Sequence, residues 1–124
     1  MKPAPIAQGA TISLERLRRS QSEAAFQRSV CNLAVRAGWT VMELPRYVLR
    51  CELGHKVHWG RSVAAGWPDL VLLRPPRMIA WECKSATGKA TPEQLAMLER
   101  LAACGYETAV IRPDDLDAIE EVLR

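Results

Sequence analysis

The sequence predicts an α/β fold, with a central mixed sheet flanked by helices and the element order α-β-β-β-α-β-α. Two observations lead to this prediction. Short apolar runs of strand length alternate with segments whose apolar residues recur every three or four positions. A short proline turn joins the second and third runs, whereas a helical segment separates the third from the fourth. A chain of 124 residues is long enough for one such domain with one hydrophobic core.

Composition restricts the class of protein. With 48% apolar and 25% charged residues, the chain has the make-up of an ordinary globular domain. No apolar run approaches the roughly 18 residues of a membrane span, and the N-terminus lacks the apolar stretch of a secretory signal. The four cysteines are scattered, which favours reduced thiols over a disulfide framework. We therefore expect a soluble, cytoplasmic protein with a flexible arm or helix extension over residues 1–20 and a single domain over 21–124.

The first helix is predicted from apolar residues at helical spacing, and it ends at Gly38. Two starting points remain open, near Ser13 or near Ser22. The run Ser20-Gln21-Ser22-Glu23 has the form of a capping box, with Glu23 at the third helical position. An earlier start would instead leave Glu23 available for a functional role. The residues of the predicted buried face are Phe26, Val30, Leu33 and Ala34.

A first strand is predicted over residues 39–44, and Pro45 ends it. The connection that follows, residues 45–66, is long for a small domain and carries cations with interleaved aromatic residues, so we expect a functional loop or a short irregular strand. The charge distribution also favours a functional role for this part of the chain. Residues 1–68 hold ten Lys/Arg and four Asp/Glu, whereas residues 69–124 hold seven Lys/Arg and ten Asp/Glu. Such a basic half is either an ordinary solvated surface or a surface for a polyanion.

The next two strands are predicted over residues 69–74 and 78–84. The link between them, Arg74-Pro75-Pro76-Arg77, cannot continue a ladder, so the two strands should form an antiparallel hairpin. Thr91-Pro92-Glu93-Gln94 opens the second helix, with a cap, a proline in the first turn and Gln in the capping-box position. A strand over residues 106–111 and a last helix from near Pro113 complete the fold. The predicted apolar face of the second helix consists of Leu95, Leu98, Leu101 and Ala102.

Three charged residues lie at one end of the predicted hairpin. Counted outward from the proline turn, Asp69 and Glu82 are equally distant from it, and side-chain alternation places Lys84 on the same face as Glu82. Paired carboxylates are ligands for a hard divalent cation such as Mg²⁺, which activates water and neutralises charge on a phosphate. A neighbouring lysine can orient that water. Alternatively, Asp69 belongs to a turn, and Glu82 and Lys84 form an exposed ion pair.

These residues, with their surroundings, resemble the virus-type replication-repair nuclease (VRR-NUC) domain of the PD-(D/E)xK nucleases. Pro68-Asp69 and, after twelve residues, Glu82-Cys83-Lys84 match the defining motif. The other motifs of the family also occur in its order, as E-x-x-x-Q from Glu23 to Gln27, then Gly38-Trp39, Gly66-Trp67-Pro68-Asp69 and Thr91-Pro92-Glu93-Gln94. The chain therefore looks like a small stand-alone phage or bacterial member, with a restriction-endonuclease-like core.

The resemblance implies roles for individual residues. Asp69, Glu82 and the backbone carbonyl of Cys83 would hold Mg²⁺ or Mn²⁺, and Glu23 would contribute through a bound water. Lys84 would position the attacking water. Gln94 would help to place Lys84 or the scissile phosphate, although the capping box with Thr91 explains it equally well. We also expect DNA contacts from a set of basic residues: Arg46, Arg50, His55, Lys56, His58, Arg61 and Lys89.

The function implied is Mg²⁺-dependent endonuclease cleavage of branched DNA, as by a Holliday-junction resolvase, in replication, repair or recombination. A homodimer suits paired cuts, and other replication-repair proteins are the further partners that the resemblance implies. A flap, single-strand or restriction-type nuclease and a non-catalytic DNA-binding module are the alternatives. Zinc binding by Cys51, His55 and His58 is disfavoured, since it supplies three ligands where a structural site needs four.

Overall fold

The computed structural model of the protein describes residues 20–44 and 66–124. Within these ranges the predicted order of helices and strands is confirmed. The elements are α1 (Glu23–Arg36), β1 (Thr40–Glu43), β2 (Leu70–Arg74), β3 (Arg77–Cys83), α2 (Pro92–Ala103), β4 (Glu107–Ile111) and α3 (Leu116–Leu123), with a 3₁₀ turn at Pro113–Asp115 before α3. No helix in the described ranges is long and apolar enough to cross a membrane. The connection predicted to be a functional loop or a short irregular strand lies outside these ranges except for Gly66.

The four described strands form one mixed sheet in the order β1-β2-β3-β4. β2 and β3 form the predicted antiparallel hairpin, in which Leu70 pairs with Trp81 and Arg74 with Arg77. β3 and β4 run parallel, with Cys83 beside Ile111, because α2 carries the chain back between them. The open end of the hairpin and the carboxyl ends of two parallel strands therefore meet at one edge of the sheet.

The first helix begins at Glu23, and Ser22 is its cap: the Ala25 backbone N–H donates to Ser22 Oγ at 3.1 Å. The start near Ser22 is thus confirmed. The capping box with Glu23 at the third helical position is wrong, because Glu23 is the first residue of α1. The helix ends at Arg36, and Gly38 then takes a φ of 89°, a backbone conformation that glycine adopts without strain.

The core lies between one face of the sheet and the helices α1 and α3. Alternate residues of β2 and β3 point into it, and the backbone pleat directs the residues between them to the opposite face. This core buries Phe26, Val30, Ala34, Trp39, Leu70, Leu72, Ile79, Trp81, Cys83, Ile111, Ile119 and Leu123. Glu82, which lies between Trp81 and Cys83, consequently faces the other side of the sheet, where α2 packs.

The second helix is rotated relative to the prediction from its apolar residues. Its buried residues are Gln94, Leu98 and Leu101, whereas Leu95 is 49% exposed and Ala102 is exposed. The predicted face is therefore wrong at Leu95 and Ala102. The physical reason is that Gln94 has a polar partner on the sheet, Glu82, so the buried stripe begins one residue earlier.

The closed end of the hairpin ties the sheet to the ends of two helices. Arg74 Nη1 donates to the carbonyls of Ala37 (2.8 Å) and Leu123 (3.0 Å), and Arg77 Nη1 donates to that of Val122 (2.9 Å). Both guanidinium groups lie over the Trp39 ring, 4.5 and 5.0 Å from its centroid. Carbonyls at helix C-termini have no hydrogen-bond partner within the helix. Here the guanidinium groups of Arg74 and Arg77 are their partners.

Replacing Arg74 with Met should therefore destabilise the fold. The substitution keeps the apolar stem but removes the hydrogen bonds to both helix ends, so we expect the free energy of unfolding to fall by about 2 kcal/mol. Urea denaturation followed by circular dichroism measures the change. Arg100→Met, at an exposed position on α2, is the matched control. Equal stability of the two variants would contradict this role for Arg74.

Candidate active site

The hairpin register brings two carboxylates together. Because Leu70 pairs with Trp81, the next position outward places Asp69 beside Glu82, as counting from the proline turn predicts. Asp69 is 5% exposed, and Glu82 is fully buried. Asp69 Oδ2 accepts a hydrogen bond of 2.9 Å from the Cys83 backbone N–H, which fixes one carboxylate relative to the end of β3. The exposed ion-pair alternative for Glu82 is therefore wrong.

A third carboxylate comes from the first turn of α1. One oxygen each from Glu23, Asp69 and Glu82 lie within 4.8 Å of one another. Glu23 is half-buried, so the cluster is open to solvent on the side of α1. Three oxygen donors at this separation suit a hard divalent cation, which is bound by one or two carboxylates and keeps several waters. The donor set of this cluster contains neither thiolate nor imidazole.

Lys84 lies against the carboxylate cluster and is itself 7% exposed. Its Nζ is 3.3 Å from Glu82 Oε2 and 3.9 Å from Glu23 Oε1. A buried ammonium is costly unless carboxylates compensate it, and here two of them do. The predicted grouping of Lys84 with the acids is thus observed, and the ammonium retains donors for a water or a phosphate oxygen in this pocket.

Gln94 forms the predicted capping box and also contacts the carboxylate cluster through Glu82, while its role in placing Lys84 or the scissile phosphate stays a prediction. Its Oε1 accepts a hydrogen bond from the Thr91 backbone N–H at 2.9 Å, and the Gln94 backbone N–H donates to Thr91 Oγ1 at 3.1 Å, which completes the capping box. Its Nε2 donates to Glu82 Oε2 at 2.9 Å. One amide therefore caps α2 and orients a buried carboxylate.

Burial dominates the electrostatics of Glu82. Burial raises the pKa of this carboxyl most and the neighbouring Asp69 raises it as well, while Lys84 lowers it; together they move the pKa from 4.5 to about 7. The chain's own cation thus leaves the negative charge of the cluster incompletely balanced. A bound divalent cation would reverse the effect, since it favours the ionised carboxylate.

Gly66 allows the segment that leads to Asp69 to pack closely against α2. It has a φ of 80°, and a Cβ at this position would lie 2.4 Å from the Glu93 carbonyl oxygen, a distance that no side chain tolerates. The backbone of Gly66 therefore lies directly against the first turn of α2, the turn that also carries Gln94. Pro68, which is fully buried, then leads into Asp69. The glycine of the G-x-P-D motif is thus required by close packing.

Arg112 lies near the site, but the sequence predicts no role for it. Arg112 follows β4 immediately and donates from Nη1 to the carbonyls of Ser85 (2.8 Å) and Gly88, in the connection after Lys84. A topological signal was available. Parallel neighbouring strands end at the same edge, so the residue after β4 lies near the residue after β3.

The remaining predicted site residues divide into two groups. Lys89 is exposed in the connection between β3 and α2. Cys83 ends β3 with its side chain in the core, and the metal contact predicted for its carbonyl stays a prediction. The other predicted DNA contacts, together with the disfavoured zinc ligands, lie outside the described residues: Arg46, Arg50, Cys51, His55, Lys56, His58 and Arg61.

The raised pKa of Glu82 predicts a pH-dependent stability of the metal-free protein. Its carboxyl titrates near 4.5 in the unfolded chain and near 7 in the fold, so ionisation costs stability between these values. Relative to Glu82→Gln, the wild-type protein should lose about 3 kcal/mol of unfolding free energy as pH rises from 4.5 to above 7. Urea denaturation in EDTA at pH 4.5 and 8 measures this loss. Glu99→Gln, at an exposed position on α2, is the control, and a pH-independent difference for Glu82→Gln would refute the assignment.

Comparison with known proteins agrees with this geometry. The family model of the VRR-NUC domain matches residues 13–115, which is most of the chain. This range includes the three carboxylates of the cluster and the neighbouring Lys84 and Gln94. No curated protein and no solved structure gave a match. The four-stranded mixed sheet with flanking helices is consistent with a restriction-endonuclease-like fold. The resemblance predicted from the motifs is thus confirmed, and the chain belongs to the VRR-NUC domain family, whose members are nucleases of the PD-(D/E)xK type.

Proposed function

We propose that the protein is a Mg²⁺-dependent, structure-specific endonuclease that hydrolyses phosphodiester bonds in branched DNA. One observation supports it above all: three carboxylates and a lysine from α1, β3 and the entry to β2 meet in one largely buried cluster. Burying several charges together lowers the stability of a fold. Such clusters are therefore expected at sites where the charges act on a ligand.

Asp69 and Glu82 are the proposed metal ligands, with the Cys83 carbonyl as a third and Glu23 acting through water. The three carboxylates are near enough to share one ion, and oxygen donors suit Mg²⁺, with Mn²⁺ as a substitute. When bound, the ion lowers the pKa of a coordinated water and neutralises charge on the phosphate.

Lys84 and Gln94 act beside these ligands. The Lys84 ammonium, held 3.3 Å from Glu82, is placed to orient the attacking water and to donate to a phosphate oxygen as negative charge develops. Gln94 keeps the Glu82 carboxylate in one orientation through its 2.9 Å hydrogen bond. Preorganisation of this kind avoids reordering during the reaction.

The choice of branched DNA and of a homodimer rests on the family resemblance and on the basic composition of residues 1–68. Lys89, exposed five positions after Lys84, is the described cation proposed to contact the DNA backbone. A two-fold dimer would place two such sites for paired cuts.

A cleavage assay tests this function. The protein is incubated with labelled four-way junction, flap, single-stranded and linear duplex DNA in Mg²⁺, Mn²⁺ or EDTA. We expect cleavage of the junction in either metal, no cleavage in EDTA, and a loss of about 100-fold or more in rate for Glu82→Gln and Lys84→Met. Light scattering on the same sample is expected to show a dimer.

Glu99→Gln, an exposed acid replaced by the same amide, is the control and should cleave like the wild-type protein. Preference for the flap or single strand would assign the protein to those nucleases instead. Cleavage by Lys84→Met at the wild-type rate, or DNA binding without cleavage of any substrate, would refute the proposed mechanism.

A further inference from the structure

We propose that Arg112 is a positioning residue for this reaction, which acts on Lys84 through the turn formed by residues 85–88. The proposal rests on the proposed nuclease activity. It adds a residue that touches neither the carboxylates nor Lys84 in any described contact, but that fixes the wall against which Lys84 lies.

The sheet places the two residues side by side. Cys83 and Ile111 are the last paired positions of the parallel strands β3 and β4, so Lys84 and Arg112 are the first residues beyond them. The Lys84 backbone N–H donates to the Ile111 carbonyl at 3.0 Å, which extends the ladder by one further bond. The main chain at Arg112 is also fixed, because its N–H donates to Asp115 Oδ2 at 2.8 Å.

From this fixed position the guanidinium holds the turn. Nη1 of Arg112 donates to the carbonyl of Ser85 and to that of Gly88, the first and last residues of the turn. Within the turn, the Gly88 N–H donates to Ser85 Oγ at 3.0 Å. The turn is therefore closed once by its own serine and once by a cation from the neighbouring strand. Hydrogen bonds from a charged donor are the stronger kind.

Residues 85–88 also lie next to the Lys84 side chain. A Cβ built on Gly88 would lie 3.7 Å from Cδ of Lys84 and 3.0 Å from Ser85 Oγ, so Gly88 lies next to the aliphatic stem of Lys84 at Cδ. Lys84 is only 7% exposed, so its stem has little room to move independently of its neighbours. A displaced turn would free the stem, and a displacement of about 1 Å in a catalytic group can cost a factor on the order of 100 in rate.

The test compares Arg112→Met and Arg112→Lys with Arg100→Met, an exposed arginine of α2. For Arg112→Met we expect kcat on junction DNA to fall roughly 10- to 100-fold with KM and the Mn²⁺ dependence little changed. Arg112→Lys should recover part of the rate, since a lysine reaches the same carbonyls without the planar fork. Gly88→Ala, which crowds Ser85 Oγ while retaining Arg112, should lower kcat in the same way.

Two readouts do not depend on cleavage. Amide hydrogen exchange at residues 85–89 should be faster in Arg112→Met, and the ¹⁵Nζ signal of Lys84 should show increased mobility, while Arg100→Met leaves both unchanged. An immobile Lys84 in Arg112→Met overturns the proposal, even if the wild-type protein cleaves no DNA. A raised KM with unchanged kcat would also overturn it, because Arg112 would then be a simple DNA contact.

Discussion

The contact of Asp69 with Glu82 across the open end of the β2–β3 hairpin is the constraint on which the rest of the site depends. Two carboxylates in such a buried place repel one another and lose hydration, which the raised pKa of Glu82 reflects. Each neighbouring element lowers this cost by one interaction. β3 contributes the Cys83 N–H, α2 the Gln94 amide, and the residue after β3 the Lys84 ammonium.

The two ends of the hairpin consequently have opposite characters. At the closed end, Arg74 and Arg77 lie over Trp39 and satisfy helix carbonyls, so every charge there has a partner that stabilises the fold. At the open end, the three acids outnumber Lys84, the buried cation among the described residues, and the charge is left for a metal ion to balance. A well-packed core between them holds the register that makes both arrangements possible. Stability and chemistry are thus separated along one pair of strands.

The sequence allowed the topology and the acid pair to be predicted because both follow from local rules. Counting from the proline turn places Asp69 beside Glu82, and the cap at Thr91 marks the start of α2. Contacts between distant segments were beyond such rules. Leu95 satisfies helical periodicity as well as Gln94 does, and only the Glu82 carboxylate on another element decides which is buried. The parallel strands predict that Arg112 lies near the residue after β3, but its partners belong to a turn 24 and 27 positions away, and no local rule identifies them.

The central claim is that Asp69 and Glu82 together hold a divalent metal ion, and locating that ion tests it most directly. Crystals grown with Mn²⁺ would reveal it by anomalous scattering. We predict a peak roughly 2.0–2.2 Å from one carboxylate oxygen of each of Asp69 and Glu82, and its absence in Asp69→Asn. A structure with Mn²⁺ bound elsewhere and none between these two carboxylates would contradict the account.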